Sequence, residues 1–233
     1  MRYKFNKIKN KKDGRLKPDE KQIYLDGNHE DFETVKNKYV WLADNTRYPN
    51  TKKNYDGGRV DGHWSGLIGG ITSFLKEEKI TSALDIGCGR GAFCNILTDY
   101  CSTVHGLDFA IKPDEEYCKK GIDFIKSDAH TIPLSDKSVE LVTSFDFLEH
   151  IHPDYLEKTI KEMFRVGSKY MIHKIASGPS KGFHEQVGQL HLIQEHRQQF
   201  WVNEVFKPHA KKVKNLCRVP GFEQNYSTIL IEI

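Results

Sequence analysis

ALDIGCGRGAF, residues 83–93, is the stretch from which the fold of this chain can be predicted. An apolar run that contains Asp85 is followed by glycines at three alternate positions, and a helix-like pattern then begins. A glycine-rich turn between a strand and its helix lets the backbone approach a ligand closely, and the N–H groups at the helix start favour polar or negative groups. The stretch therefore predicts a ligand-binding loop. Its glycines are Gly87, Gly89 and Gly91.

Short apolar runs alternate with helical patterns from Ile80 to the C-terminus. This repetition predicts an α/β fold with a doubly wound, mostly parallel sheet covered on both faces. The last two runs are separated only by PGFEQNY, which is too short for a helical crossover, so we expect an antiparallel C-terminal hairpin. The predicted strands are ITSALDI (80–86), STVHGLDF (102–109), IDFIKSD (122–128), VELVTSF (139–145), KYMIHKIA (169–176), VKNLCRV (213–219) and STILIEI (227–233).

Helices are predicted on both sides of the glycine loop. Apolar spacing predicts an amphipathic helix over Asp31–Asp44, ahead of the loop, where it could pack over a ligand. A second helix is predicted from about Trp64 to Lys79. Between the first five strands, helices are expected to begin near Gly91, Lys112 and Pro153, with a less clear turn around Pro133.

Composition limits the class of protein. At 233 residues with 38% hydrophobic residues, the chain is long and apolar enough for one domain with a real core. No window approaches the roughly eighteen consecutive apolar residues of a membrane span, and the basic N-terminus has no apolar region behind it, so we expect a cytoplasmic protein without membrane association. Five cysteines without a CxxC pair predict reduced thiols, and they indicate neither a disulfide framework nor a zinc site.

Positive charge is uneven although the formal net charge is only +3. Most of the excess lies in residues 1–17, with a smaller cluster at Lys207–Arg218. A solvated, partly disordered arm and a polyanion-binding arm both fit the N-terminal cluster. We therefore divide the chain into a basic arm, cap helix and lid loop over residues 1–63, and a globular domain over residues 64–233.

Spacing alone leaves the ligand of the glycine loop open. Gly87, Gly89 and Ala92 also satisfy the dinucleotide pattern GxGxxA, and Asp108 lies about twenty residues further on, where a ribose-binding acid belongs. A nicotinamide dinucleotide is thus one interpretation. Asp85 favours another, because its negative charge would repel a pyrophosphate and attract an ammonium or a sulfonium.

Acids end three successive predicted strands: Asp85, Asp108 in VHGLDF and Asp128 in IKSDAH. Because the carboxyl ends of parallel strands meet at one edge, these side chains are expected to surround one ligand. Asp108 is placed to accept hydrogen bonds from both ribose hydroxyls, with Phe109 beside an adenine. Asp128 could accept a bond from the exocyclic adenine amine. The pattern favours a cationic adenosyl compound.

From about Trp64 to its end, the chain resembles a class I S-adenosylmethionine-dependent methyltransferase of the UbiE-like group of small-molecule and quinone-type enzymes. LDIGCGRG is similar to the first motif of that family, GLDF to its second, and SDAHTIPLSDKSVELVTSFDFLEHI to the stretch from adenine binding through the fourth strand. The resemblance implies a Rossmann-like, seven-stranded sheet and S-adenosyl-L-methionine as cofactor. It implies that Asp85, Gly87, Cys88, Gly89 and Gly91 hold the methionine part, Asp108 and Phe109 the ribose and adenine, and Asp128 and Ala129 the adenine, with the Phe145 backbone near the methionine amine.

Methyl transfer from a sulfonium is an in-line displacement, so the protein must align nucleophile, methyl group and sulfur while excluding water. A base is needed only where the acceptor is protonated at neutral pH, such as a hydroxyl, and histidine then suits best. His150 and His152 follow the fourth strand in FDFLEHIHPDY, and His150 is a predicted catalytic base. Asp146 is a second catalytic candidate, for which capping of the next turn is the competing role. HIHPD also resembles a metal cluster, but adjacent loop residues alone rarely close one, so no metal is predicted.

The segment SGPSKGFHEQVGQLHLIQEHRQQFW, residues 177–201, is predicted to be a loop at the carboxyl edge, where substrate specificity usually resides. His184 and His191 are candidates for a base or for acceptor binding, and each could instead be a solvated loop residue. By resemblance Trp201 helps to form the acceptor pocket, whereas packing on the sheet is the alternative for Phe200, Trp201 and Val205. Lid candidates from the N-terminal segment are Tyr55, Arg59, His63 and Trp64. Arg59 could instead be a surface arginine, and Trp64 could instead be the first core residue of its helix.

The functional prediction is methyl transfer to an oxygen or nitrogen atom of a small polar acceptor such as a sugar, a glycan or another metabolite. A nucleic-acid methyltransferase that uses the basic arm is an alternative, although no NPPY-type signature follows the fourth strand, which reads SFDFLEH there. A non-catalytic module that binds the cofactor and a dinucleotide dehydrogenase are further alternatives. The sequence leaves the acceptor and the oligomeric state open.

Overall fold

The computed structural model describes residues 31–34, 36–37, 65–110, 121–176, 193, 199–217 and 226–233. The helices are α1 (Ser65–Glu77), α2 (Ala92–Leu97) and α3 (Pro153–Val166), with a 3₁₀ turn at Leu148–His150 and a π-helix at Phe200–Phe206. The strands are β1 (Ser82–Ile86), β2 (Thr103–Leu107), β3 (Ile122–Ile125), β4 (Val139–Phe145), β5 (Gly167–Ala176), β6 (Lys212–Cys217) and β7 (Tyr226–Glu232). Residues 32–34 and 36–37 are also helical and are called the N-terminal helical segment below.

The seven strands form one sheet in the order β3-β2-β1-β4-β5-β7-β6. β1 to β5 are parallel, and β7 lies between β5 and β6, antiparallel to both. The predicted α/β fold, its mostly parallel sheet and its antiparallel C-terminal hairpin are confirmed. Strand order reverses between β1 and β4, which is where open sheets of this kind bind ligands.

Both faces of the sheet are covered because successive strand residues point to opposite sides. In β1, Ala83 packs with α1 and α2, whereas the next residue, Leu84, packs with α3 and the π-helix. Leu141 and Val142 of β4 divide in the same way. The apolar runs in the sequence are near-continuous for this reason, since no side of these strands faces water.

The helices that were predicted near the first and fourth crossovers are present. α3 begins at Pro153, whose missing N–H costs nothing in the first turn, and the Nδ1 atom of His152 accepts a hydrogen bond from the Asp154 backbone at 3.3 Å. α1 is shorter than predicted, ending at Glu77, because Lys79 has a left-handed φ of 52°. The helix expected near Lys112 lies outside the described residues, as does most of the helix expected over Asp31–Asp44.

The π-helix confirms the packing role predicted for its aromatic residues. Phe200, Trp201 and Val205 are fully buried in the core that α3 and the sheet share. A part for Trp201 in the acceptor pocket stays a prediction. No helix in the described part of the chain is long and apolar enough to cross a lipid bilayer.

Candidate functional site

The glycine loop between β1 and α2 has a backbone conformation that residues with side chains rarely adopt. Gly87, Gly89 and Gly91 have φ angles of 74°, 52° and 85°, all in the left-handed region. A Cβ atom on Gly87 would also lie 2.4 Å from Cδ2 of Phe147. The shape of the loop therefore accounts for glycine at the alternate positions.

The loop is fixed to the end of β2. The backbone N–H groups of Gly87 and Cys88 donate to the Leu107 carbonyl at 2.8 and 3.2 Å. Asp108 follows β2, and its Oδ2 atom accepts from the Gly89 N–H at 3.1 Å while Oδ1 accepts from the Ala110 N–H at 2.8 Å. Burial raises the pKa of Asp108, and these two backbone bonds oppose that rise. The sequence thus placed loop and acid correctly at one edge, but not the bonds that join them.

Asp85 lies inside the protein directly below the loop. Its side chain is 3% exposed, and its Oδ1 atom accepts a hydrogen bond from the Thr143 hydroxyl at 2.8 Å. Burial raises the pKa of Asp85 to about 7; the bond from Thr143 opposes this and the nearby charge of Asp108 adds to it. Among the described residues no ion pair reaches Asp85 or Asp108. A buried and a half-buried carboxylate that lie close together, with no cation beside them in the described part of the chain, suit a positively charged ligand rich in hydrogen-bond donors.

Asp128 follows β3 at the same edge, as predicted. Its Oδ2 atom lies 2.8 Å from the Nζ atom of Lys36 in the N-terminal helical segment. Its Oδ1 atom is buried and has no hydrogen-bond partner among the residues that the structure describes. Ala129, the next residue, is buried. The lysine was not among the predicted site residues, since 92 positions separate it from Asp128.

A charged pair lies where β4 and β5 end. Asp146, with a left-handed φ of 49°, forms an ion pair with the largely buried Lys174. The cap residue of the following 3₁₀ turn is Phe147, and no side chain caps that turn. The competing capping role of Asp146 is therefore not observed. Lys174 was missed, although a lysine within the apolar run KYMIHKIA was a signal for it.

Glu149 joins both ends of the segment that was predicted to bind the acceptor. Its Oε1 atom accepts from the Ala176 N–H at 3.0 Å, and its backbone carbonyl accepts from the Ile193 N–H at 2.9 Å. Burial, and secondly the charge of Asp146, raise the pKa of Glu149 to about 8. The fully buried side chain therefore connects the turn after β4 with Ala176, and its backbone connects that turn with Ile193.

The remaining site residues divide by whether the structure describes them. The Phe145 ring packs on Phe93 with centroids 4.4 Å apart, beside the loop, and Phe109 follows Asp108 in a half-buried position. His150 is half-buried in the 3₁₀ turn after β4, and His152 caps α3. The lid and acceptor candidates Tyr55, Arg59, His63, Trp64, His184 and His191 lie outside the described residues and stay predictions.

Residues 84–169 match the family model of a methyltransferase domain. A curated relative, norajmaline N-methyltransferase of Rauvolfia serpentina, is 31% identical over 103 residues, which are 40% of this chain and 34% of that protein. The match thus spans about a third of the relative's length.

Solved methyltransferases share the fold. Magnesium protoporphyrin IX methyltransferase from Synechocystis, solved with bound S-adenosylmethionine, aligns with a TM-score of 0.62 and 12% identity over 85% of this chain and 96% of that one. The N-methyltransferase NodS from Bradyrhizobium japonicum, solved with S-adenosylhomocysteine, aligns with a TM-score of 0.56 and 11% identity over 86% and 97% of the two chains. At such identities the likeness is one of fold.

Proposed function

Because residues 84–169 match the family model of a methyltransferase domain, we propose that this protein transfers a methyl group from S-adenosylmethionine to an oxygen or nitrogen atom of a small polar acceptor, such as a sugar, a glycan or another metabolite. The observation that carries the proposal is a buried carboxylate, Asp85, and a half-buried one, Asp108, against a glycine loop with left-handed φ angles. This arrangement offers negative charge beside a loop without side chains at its three glycines, which allows a cationic adenosyl ligand to approach closely.

The acid in β1, the acid after β2 and the glycine loop would each help to hold the cofactor. Asp108 is oriented by the N–H groups of Gly89 and Ala110, which leaves lone pairs on both oxygens for the ribose hydroxyls. Asp85, behind the loop, would balance the ammonium of the methionine part. The loop of Gly87, Cys88, Gly89 and Gly91 would contact that part through its backbone. Bound there, the cofactor supplies an electrophilic methyl group.

The acceptor would bind beside the ends of β4 and β5. Asp146, Lys174 and His150 offer there a carboxylate, an ammonium and an imidazole. Glu149 bonds to Ala176 and Ile193, the described residues on either side of residues 177–192. Mixed charges of this kind suit a small molecule with hydroxyl or amine groups. A base is required only for a hydroxyl, and His150, Asp146 and His191 are the residues proposed for it.

The basic cluster gives little support to a nucleic-acid substrate. Lys207, Lys211 and Lys212 are exposed. In the sheet, Glu232 of β7 lies opposite Lys212 of β6 on one side and opposite Tyr170, near the start of β5, on the other. These three lysines thus lie at the amino edge of the parallel strands, opposite the cofactor edge. Phosphates bound there would be far from the methyl group.

A methyl-transfer panel tests the proposal. The protein is incubated with S-adenosylmethionine labelled in the methyl group and with separate pools of sugars, small amines, carboxylic acids and RNA. We expect label to enter one of the small-molecule pools. Label in RNA alone would contradict the proposed acceptor class, and no transfer to any pool, together with tight cofactor binding, would favour the non-catalytic module.

A further inference from the structure

Lys174 holds Asp146 through both its side chain and its backbone. The Nζ atom of the lysine forms an ion pair with Oδ1 of Asp146, and the lysine carbonyl accepts a hydrogen bond from the Asp146 N–H at 2.9 Å. Asp146 has a left-handed φ of 49°, which is uncommon even for aspartate. Backbone outliers of this kind persist where neighbouring contacts hold them, and they are frequent at functional sites. The two contacts with Lys174 are of that kind.

The two side chains of this ion pair differ in their access to solvent. Lys174 is 11% exposed, whereas Asp146 is 40% exposed. The ion pair is made through Oδ1, so the second oxygen of the carboxylate is left for another donor. An incoming molecule therefore meets the carboxylate before it meets the ammonium. The arrangement favours an acceptor that donates hydrogen bonds over an anionic one.

The exposed carboxylate lies beside the glycine loop. Asp146 directly follows β4, which is paired with β1 so that Thr143 lies opposite Asp85. The next residue, Phe147, has its ring so close to Gly87 that an added Cβ atom there would lie 2.4 Å from it. The carboxylate is thus at the edge of the sheet where the proposed cofactor binds.

We propose that Lys174 is a positioning residue that directs the Asp146 carboxylate at an amine of the acceptor, and that the acceptor is a primary or secondary amine rather than an alcohol. This inference rests on the proposed function and deepens it, because it narrows the acceptor atom to nitrogen. The amine donates an N–H to the carboxylate and turns its lone pair to the methyl group. Asp146 binds the acceptor directly, whereas Lys174 acts through Asp146.

The charge that develops during transfer favours an amine at this carboxylate. The amine nitrogen forms a bond to the methyl carbon while the carbon–sulfur bond breaks and leaves its electron pair on sulfur. The nitrogen becomes positive in this step, and a carboxylate that is already in place stabilises the new charge. The N–H proton then passes to water, so no base is needed while the bond forms. An alcohol has to lose its proton, and an aspartate is a weaker base for that than a histidine.

Methyl-transfer kinetics with matched amines and alcohols test the proposal. S-adenosylmethionine labelled in the methyl group is supplied with three pairs of compounds: benzylamine and benzyl alcohol, tryptamine and tryptophol, and glucosamine and glucose. The amine that is labelled fastest is then used to compare variants of the full chain. Calorimetry with S-adenosylhomocysteine and thermal unfolding are recorded for each variant.

The variants separate the two members of the ion pair. Lys174→Met keeps the aliphatic stem, and Lys174→Arg keeps the charge. Asp146→Asn removes the negative charge but tolerates the same left-handed backbone. The double variant joins Lys174→Met with Asp146→Asn. The matched control is Lys169→Met, which removes an ion-paired lysine from the other end of the same strand, where it contacts Glu140.

We expect at least one amine to be labelled with a kcat/KM about tenfold or more above that of its alcohol. Lys174→Met and Asp146→Asn should each lower kcat/KM for the amine about tenfold or more, while the Kd of S-adenosylhomocysteine changes less than about twofold. The double variant should be no worse than Asp146→Asn, because the lysine acts through the aspartate. Lys174→Arg and Lys169→Met should retain most of the activity.

The failures can be told apart. Faster labelling of the alcohols would overturn the amine class and leave the proposed function intact. Additive losses in the double variant, or equal effects of Lys174→Met and Lys169→Met, would overturn the role of Lys174. If a protein that binds S-adenosylhomocysteine labelled none of the six compounds, the inference would also be wrong. If the protein did not bind S-adenosylhomocysteine, the proposed function itself would fail.

Discussion

Gly87 is the single residue on which the shape of the cofactor loop depends most. Its φ of 74° is strained for any residue with a side chain, and an added Cβ atom would lie inside the contact distance of the Phe147 ring, at 2.4 Å. Neither the ring nor the strand behind it can move freely, because Phe147 packs against the core. The loop therefore cannot accommodate a side chain at this position.

Gly87→Ala is predicted to destabilise the protein by about 1–3 kcal/mol and to weaken S-adenosylhomocysteine binding at least tenfold. Thermal unfolding and calorimetry measure the two effects. The control is Gly70→Ala in α1, where a Cβ atom would contact nothing within 4 Å and where alanine should stabilise the helix by up to about 1 kcal/mol. Equal behaviour of the two variants would contradict the account of the loop.

Asp85 is predicted to make cofactor binding depend on pH. Its pKa of about 7 in the folded protein lies above the ordinary value of 3.8, so its contribution to stability is present below about pH 4 and is lost as the pH rises to about 7. A bound ammonium favours the ionised carboxylate, so binding should release a proton. Affinity for S-adenosylhomocysteine should therefore increase between pH 5.5 and 7, by at most about tenfold per pH unit.

Calorimetry in buffers of different ionisation enthalpy detects the released proton. In Asp85→Asn the release and the increase of affinity with pH should both disappear, while the amide oxygen still accepts the Thr143 bond. Proton release that persists in Asp85→Asn would show that another group is responsible.

At the scale of elements, Glu149 connects the turn after β4 with the end of β5 and with Ile193. Glu149→Ala leaves the Ala176 N–H unpaired in the interior and is predicted to cost about 1–3 kcal/mol of stability. Glu149→Gln imitates the protonated acid and should retain most of the stability of the unchanged protein. Urea unfolding measures both variants, and equal stability of all three proteins would contradict this role.

The pKa of Glu149 predicts a second pH effect. Because its value of about 8 lies above the ordinary 4.5, the contribution of Glu149 to stability falls as the pH rises from about 4.5 to about 8. In Glu149→Gln this part of the pH dependence should be absent. A stability profile that stays the same in the variant would assign the pH dependence to other groups.

The sequence predicted the elements well because their signals are local. Strand runs such as VELVTSF are apolar on both faces, and Pro153 begins its helix where its chemistry permits. The glycine loop and the acids that follow β2 and β3 were placed by strand order alone. The contacts of Lys36, Lys174 and Glu149 could not be predicted, because they join distant parts of the chain and depend on side-chain packing that no local pattern encodes.

At the scale of the whole molecule, the two edges of the sheet differ in character. The carboxyl edge has the three acids, the glycine loop and the Asp146–Lys174 pair. The amino edge has the exposed lysines at positions 207, 211 and 212. The exposed lysines are thus separated from the proposed cofactor site. This separation favours a small acceptor that reaches the cofactor without contacting these lysines.

Replacing Lys207, Lys211 and Lys212 together by serine is predicted to leave kcat/KM for a small acceptor within about twofold, because screening over the width of the sheet removes their influence. The variant should bind RNA less well than the unchanged protein at low salt. A loss of methyl transfer of tenfold or more would contradict the placement of the acceptor at the opposite edge.

The central claim is that the three acids and the glycine loop bind an adenosyl cofactor, and calorimetry of S-adenosylhomocysteine with Asp108→Ala tests it most directly. The unchanged protein should bind the compound, and the variant, which lacks the acceptor for the ribose hydroxyls, should bind it at least tenfold more weakly while unfolding cooperatively. Unchanged affinity in the variant would contradict the account.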